Sequence, residues 1–323
     1  MARTWPYREN GHGVRTIDVG KKTGQTGVVK NTSTRRPMAM NRRRPTLYVS
    51  DLDGTLLRDD ATISRRSRAA LNSLLAQGLN FTVASARSVM TIREVIEGVE
   101  LTLPIIEING GFVSDMVSGE HLIVNGIAPA LLAELNACIE KYNGVPIIAA
   151  YDGERDRLYY NRAHRAVNPG LDNVIASRKA ANDSRLSQTE NLQSAFDDQV
   201  VCFTVIGLEQ ALSPLEKELL AKYGGSIRTH LFRDIYSEFH WLTIQDNKAS
   251  KDSAIQAIVE ASSLDHCELV VFGDNDNDLP MFDIAKRSIA VENATNRVKS
   301  RATEIIGTNQ QESVVAYIQR DFP

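Results

Sequence analysis

Cysteine, aromatic residues and long apolar runs are all scarce in this chain of 323 residues. Its three cysteines, Cys138, Cys202 and Cys267, are widely spaced and odd in number. They do not form a disulfide framework or a zinc-spaced cluster, and they read as reduced residues of a cytoplasmic protein. No stretch approaches the roughly 18 uninterrupted apolar residues of a membrane-spanning helix. No apolar run follows the basic start, as a secretory signal would require. No glycine-rich nucleotide loop is present. Hydrophobic residues make up 42% and charged residues 24%. That composition excludes a collagen-like, disulfide-dense or wholly disordered chain, and the length suggests about two domains.

The net charge of −3 hides an asymmetry. Residues 1–45 carry 11 Lys or Arg against two acids, Glu9 and Asp18, so the segment is +9 and the remainder −12. It is rich in Gly, Thr and Asn, has no sustained apolar period, and is expected to be disordered. Three readings remain open: a basic arm for nucleic acid, an organelle-targeting peptide, or an extension ahead of Met38 and Met40. The last takes the largest share, and a nucleic-acid partner is not expected.

From residue 46 strand and helix alternate. Leu47–Ser50, Phe81–Ala84 and Pro104–Ile108 are short apolar runs. Between them, helical faces are formed by Ala70, Leu71, Leu74 and Leu75 after a capping Ser64, and by Val89, Ile92, Val95 and Ile96. The rhythm returns with a helix near Ser250 and strands at 269–272, 288–291 and 304–306. Such alternation implies a parallel sheet covered on both faces. The middle differs. It suggests a helix near 128–142, strands near 146–151 and 156–161, a polar stretch at 163–197, a strand near 200–206, a helix near 208–222 and strands near 226–232 and 236–244. The expected fold is therefore α/β: a Rossmann-like core from 46–126 and 236–323, with an α+β cap inserted at 127–235.

The strongest chemical signal is Asp51-Leu52-Asp53-Gly54-Thr55 directly after the first strand. Side chains two apart on an extended chain share a side, so Asp51 and Asp53 project together while Gly54 permits a tight exit. Two adjacent acids alone are weak evidence. Ser85 at the end of the second strand, Lys251 at a helix start and Gly273-Asp274-Asn275-Asp276-Asn277-Asp278 after another strand strengthen it. In open α/β sheets ligands bind beyond the carboxyl ends of the strands, where Asp51, Ser85 and Asp274 belong. Two carboxylates about 4 Å apart repel by roughly 4 kcal/mol at an effective dielectric of 20. Four acids in one crevice therefore call for a divalent cation, and all-oxygen donors favour Mg²⁺ over zinc.

These segments resemble the haloacid dehalogenase superfamily, more narrowly its Cof-type branch, subclass IIB. YVSDLDGTLL matches the first motif. VASAR matches the second, with Ser85 for the usual Thr and Ala86 for the usual Gly. KASKDSAI matches the third through Lys251, and GDNDNDLPMF matches the fourth. IAVENA resembles a later family segment, with Glu292 replacing Gly. The resemblance implies that Asp51 is the nucleophile, forming an aspartyl-phosphate, and that Asp53 is the acid and base. It implies a Mg²⁺ site drawn from Asp51, Asp53 (through its main-chain carbonyl), Asp274 and Asp278, with Asp278 and Asn277 in the outer shell. Ser85 and Lys251 would meet the phosphoryl group. The backbone around Leu52–Gly54 would form an anion nest, and Asn109 is a candidate to face the substrate. Arg87 fits a phosphate contact or an ion pair at a helix start equally well.

The cap would act as a lid reading the leaving group. Tyr151, Asp152, Arg155, Arg157, Tyr160 and His164 are its polar candidates, although a solvated surface is the commoner fate of such residues. His240 beside Trp241 fits packing better than catalysis. The expected activity is Mg²⁺-dependent hydrolysis of a small phosphorylated metabolite, a sugar phosphate or phosphorylated cofactor. A phosphomutase and a non-catalytic regulator using the basic arm are the alternatives. Removal of residues 1–37 is expected to leave soluble, active protein; loss of either property in the truncated chain would assign that segment a structural role.

Overall fold

The computed structural model describes residues 45–161, 168–233 and 237–323, so most of the basic segment and His164 lie outside the described residues. The chain enters β1 (Thr46–Ser50), α1 (Arg65–Ala76), β2 (Asn80–Val83), α2 (Val89–Val95) and β3 (Ile105–Glu107). β4 (Phe112–Ser114) and β5 (His121–Val124) follow. The next part holds α3 (Pro129–Lys141), β6 (Pro146–Tyr151), β7 (Asp156–Asn161), α4 (Pro169–Ala180), β8 (Leu186–Thr189) and β9 (Gln199–Gly207). It ends with α5 (Glu209–Tyr223), β10 (Ile227–Arg233) and β11 (His240–Asp246). The last part runs α6 (Lys251–Ala261), β12 (Glu268–Gly273), α7 (Leu279–Ile284), β13 (Arg287–Val291), α8 (Asn296–Arg301), β14 (Glu304–Ile306) and α9 (Ser313–Asp321).

Two sheets dominate. The first has the order β14-β13-β12-β1-β2, with every pair parallel. A parallel bridge from Ala84 to Ile106 leads its edge into β3. Its strands read as continuous apolar runs because both faces are covered: Tyr48, Val49, Phe81, Val271 and Ile289 are fully buried. Helix α1 forms where expected. Ser64 accepts a hydrogen bond from the Ser67 N–H at 3.0 Å, and Leu71 and Leu75 face the core.

The second sheet has the order β10-β11-β9-β6-β7-β8 and is antiparallel except for its β7–β8 edge. Helices α3 and α5 cover one face through Leu135, Ile139, Leu215 and Leu219. The α/β core with an inserted α+β unit is borne out, but β11 corrects the boundary drawn at 236. That strand pairs with both β9 and β10, so the chain returns to the first sheet only after Asp246. Its run of Leu242, Thr243 and Ile244 alternates buried and half-buried side chains, as an antiparallel strand with one packed face should. The polar stretch at 163–197 also holds α4 and β8, and the short hairpin of β4 and β5 was not anticipated.

Strand β5 carries a tie between the two parts. His121 Nε2 lies 2.7 Å from Asp156 Oδ1 on β7. Its Nδ1 is 2.7 Å from Ser114 Oγ and 3.3 Å from Glu107 Oε1, and its ring stacks on Phe112. Burial alone would lower the imidazole pKa, but the hydrogen bonds and charges of Asp156 and Glu107 outweigh it and raise it to about 9. A raised folded-state pKa stabilises fully below the unfolded value, near 6.5, and that contribution is lost as pH rises through 9. The stability difference between the parent and His121→Gln in urea is therefore expected to be largest below pH 6.5, on the order of 3 kcal/mol, and to shrink by pH 9.5. A difference independent of pH would mean that folding leaves the imidazole pKa at its unfolded value.

Candidate active site

The ends of β1, β2 and β12 are brought level by register: Ser50 pairs with Val83 on one side and Phe272 on the other. The residues just beyond them, Asp51, Ser85 and Asp274, therefore meet at one edge of the sheet and line one cavity of about 480 Å³. Asp51 is fixed there by its own N–H, which donates to the Phe272 carbonyl at 3.0 Å. The chain then turns sharply through Asp53 and Gly54. Gly54 has φ of +75°, and a Cβ there would lie 2.6 Å from Asp274 Oδ2, so glycine is required on both counts.

Lys251, the first residue of α6, is fully buried and joins two acids. Its Nζ lies 2.5 Å from Asp51 Oδ1 and 2.6 Å from Asp278 Oδ1. The other oxygen of Asp278 accepts the backbone N–H groups of Asp274 and Asn275 at 2.9 and 3.0 Å. Thr55, in the same turn as Gly54, donates to Asp274 Oδ1 at 2.7 Å. Asp51, Asp274 and Asp278 each present a carboxylate oxygen, all within 4.8 Å of one another. Burial pushes the Asp51 pKa well up; Asp278 and Asp274 add to the rise and Lys251 opposes it. Burial, then Asp278, raises Asp274 to about 7 against the opposing pull of Thr55 and Lys251. One ammonium among three carboxylates leaves the site short of positive charge. The donors are all hard oxygens, so the residues present fit a divalent cation such as Mg²⁺. The two oxygens of Asp278 are already engaged, whereas Asp51 and Asp274, which line the cavity, each have an oxygen outside these hydrogen bonds.

Other expected residues gather at the same edge. Ser85 is buried, and its Oγ accepts the Arg87 N–H at 3.1 Å. Asn109 adopts φ of +53°, and its Oδ1 accepts from Asn277 Nδ2 at 3.1 Å; both line the cavity. Asp53 does not join the carboxylate cluster. Its side chain is 51% exposed and is gripped by Arg87 through two hydrogen bonds of 2.6 and 2.7 Å. Arg87 therefore makes the ion pair, one of the two roles left open for it.

The cap candidates are corrected. Asp152 sits in the β6–β7 turn and accepts from Arg157 Nε at 2.8 Å, with Arg155 also near. Tyr151 donates to the Gly153 carbonyl in that turn, and Tyr160 is buried beside Leu171 and Ile175. None of these lines the cavity. Much of its cap wall comes instead from alternate residues of four strands: Ile147 and Ala149, Cys202 and Thr204, His230 and Phe232, and Trp241, Thr243 and Gln245; Leu158 of β7, Val174 and Arg178 of α4, and Arg185 add to it. Strand alternation was the signal that could have found the strand residues. His240, one residue from Trp241, points away, toward Glu209 at 3.6 Å.

The buried triangle gives a direct test. Replacing Lys251 by Met leaves two buried carboxylates without their counter-charge, which is expected to cost about 3–5 kcal/mol of stability in urea unfolding. An unchanged midpoint would show that the acids are already neutral without the lysine.

Comparison with known proteins agrees with this geometry. Residues 48–318 match the model of the haloacid dehalogenase-like hydrolases. The chain is 25% identical over 291 residues to the 5-amino-6-(5-phospho-D-ribitylamino)uracil phosphatase YwtE of Bacillus subtilis, covering 84% of this chain and 96% of that protein. It is also 25% identical to the crystal structure of TM0651 from Thermotoga maritima, at a TM-score of 0.67 over 85% of this chain and 97% of that one. A haloacid dehalogenase-like hydrolase from Bacteroides thetaiotaomicron superposes with the same TM-score at 24% identity, over 86% and 99% of the two chains. With its four motifs gathered at one sheet edge and the family match spanning most of its length, the chain belongs to the haloacid dehalogenase-like hydrolases.

Proposed function

We propose that the enzyme is a Mg²⁺-dependent phosphatase that hydrolyses a small phosphomonoester, a sugar phosphate or phosphorylated cofactor, through an aspartyl-phosphate. The observation that carries this reading is the position of Asp51. Its carboxylate is held by Lys251 at 2.5 Å and faces a cavity it shares with Ser85 and Asp274. The phosphatase names of the relatives support the same class.

In the first step an Asp51 oxygen attacks phosphorus in line. A phosphorus–oxygen bond forms to Asp51 as the bond to the leaving oxygen breaks. Asp53, at the rim of the cavity, delivers a proton to that oxygen once Arg87 releases it. Water then attacks the phosphoryl group and gives its proton to Asp53. Inorganic phosphate departs and the Asp51 carboxylate is restored. Ser85 donates a hydrogen bond from its hydroxyl to a phosphoryl oxygen, and Lys251 offsets the gathered negative charge. Asn109 and Asn277, bonded to one another, supply amide groups at the substrate side. Mg²⁺ held by Asp51, Asp274 and the main-chain carbonyl of Asp53 would draw charge from the phosphoryl oxygens. Asp278 acts one layer back, fixing Lys251 and the Asp274 backbone. The substrate is expected to be a dissolved metabolite in the cytoplasm, in keeping with three free cysteines. Among the described residues no helix is long and apolar enough to cross a membrane.

Para-nitrophenyl phosphate with Mg²⁺ provides the assay. Asp51→Asn is expected to lower phosphate release at least about a thousandfold while leaving the fold intact. Asp274→Ala is expected to raise the Mg²⁺ concentration for half-maximal activity by about 10–100-fold. Retained activity in Asp51→Asn would remove the assigned nucleophile, and interconversion of sugar-phosphate isomers without phosphate release would point to a mutase.

A further inference from the structure

The cap side of the cavity carries a charge that the chemistry at Asp51 does not use. Arg178, in the last turn of α4, and Arg185, just before β8, both line it. A single carboxylate, Asp183, lies between them. It accepts from Arg185 Nε at 2.8 Å and Nη2 at 2.7 Å, and from Arg178 Nη1 at 3.0 Å. Burial opposes ionisation of Asp183, but the hydrogen bonds and charges of Arg185, with help from Arg178, overcome it and hold its pKa at about 2. The cluster is therefore two guanidiniums and one carboxylate, with one positive charge left over. Arg185 makes a two-pronged contact with Asp183 and Arg178 a single one, so the surplus positive charge lies more on the Arg178 side.

Among the described residues lining the cavity, no further acid on the cap side offsets that charge. Among the described residues neither arginine makes a second ion pair, and the acids lining the cavity, Asp51, Asp53 and Asp274, all come from the core. Burial, and after it the neighbouring Arg185, lowers the Arg178 pKa against the opposing pull of Asp183. Both arginines are also fixed by backbone. The Asp183 N–H donates to the Arg178 carbonyl at 3.0 Å, and the Leu158 N–H on β7 donates to the Arg185 carbonyl at 2.8 Å. A rigid, planar donor fork with surplus charge suits a carboxylate or phosphate.

We infer that Arg178 and Arg185, oriented by Asp183, form a second anion subsite, so that the preferred substrate is a phosphomonoester whose leaving group bears a further carboxylate or phosphate. The inference rests on the phosphatase reading above and adds to it the class of leaving group. Matched esters test it. Glycerol 3-phosphate is compared with 3-phosphoglycerate, and fructose 6-phosphate with fructose 1,6-bisphosphate, by phosphate release with Mg²⁺.

The parent is expected to show a kcat/KM at least tenfold higher for the anionic member of one or both pairs. The pair that shows it identifies whether carboxylate or phosphate is read. Arg178→Gln should reduce that ratio at least fivefold, and Asp183→Asn, which adds to the surplus charge, should move it the other way. A purely structural role would lower both members of a pair alike and leave the ratio fixed. Ratios near one in the parent, or a ratio unmoved by Arg178→Gln, overturn the subsite while leaving the phosphatase in place if para-nitrophenyl phosphate is still hydrolysed. Absence of phosphate release from every ester, para-nitrophenyl phosphate included, overturns both.

Discussion

A single buried ammonium organises the catalytic edge of this protein. Lys251 reaches Asp51 and Asp278, and so connects the end of β1, the start of α6 and the loop after β12. Each partner then fixes something further. Asp278 turns its second oxygen to two successive backbone N–H groups and sets the loop that presents Asp274. The loop closes so tightly that a Cβ on Gly273 would lie 2.6 Å from the Asp278 Cβ. Thr55 reaches across from the turn after β1 to hold the Asp274 carboxylate itself. Three segments far apart in the chain are thus held by charged hydrogen bonds among the buried Asp51, Lys251 and Asp278, where such bonds are strong and broken ones are costly.

The same contacts leave the site deliberately unbalanced. A structural ion-pair network tends toward neutrality, because uncompensated buried charge destabilises the fold. Here burial and mutual repulsion raise the pKa of both Asp51 and Asp274, and one lysine does not cancel three carboxylates. A divalent cation at Asp51 and Asp274 would relieve that repulsion and return Asp51 to the ionised form a nucleophile needs. The lysine and such a cation would therefore have different tasks: the first holds the geometry and the second would complete the charge.

What was legible in the sequence follows from how local each signal is. The four motifs each occupy a few consecutive residues at a strand end or helix start, and a parallel sheet necessarily places those ends together. Asp51, Ser85, Lys251 and Asp274 could therefore be assigned to one place without any contact map. The cap was harder for physical reasons. Helix α4 buries only Gly170, Leu171 and Ile175, too thin an apolar stripe to stand out in a polar stretch. Strand β11 shares the texture of the middle of the chain, but only its pairing with β9 and β10 fixes the boundary after it rather than before it. Tyr151, Asp152, Arg155 and Arg157 attracted attention because they are polar and close in sequence, yet that closeness is what a hairpin turn requires. The residues that do form the wall, such as Cys202 with Thr204 and His230 with Phe232, are spread over separate strands and share only a period of two. Alternation identifies two faces but not which one the cavity takes; that choice depends on α3 and α5 covering the other.

This division of faces explains how chemistry and recognition are separated in the molecule. One face of the cap sheet is consumed by its own hydrophobic core, and the part of the opposite face that α4 leaves uncovered carries rings, hydroxyls and charges over the catalytic edge. Gln245 at the end of β11 donates to the Ile108 carbonyl at 2.7 Å, beside the turn that presents Asn109. His121 and Asp156 join the parts at a second point. These polar ties, between groups that can also bond water, help to position the cap over the core. The negative charge needed for phosphoryl transfer is confined to the core side, and the surplus positive charge of the Arg178 cluster to the cap side. A substrate spanning the cavity would therefore meet opposite fields at its two ends, and its orientation would be set before any bond is broken.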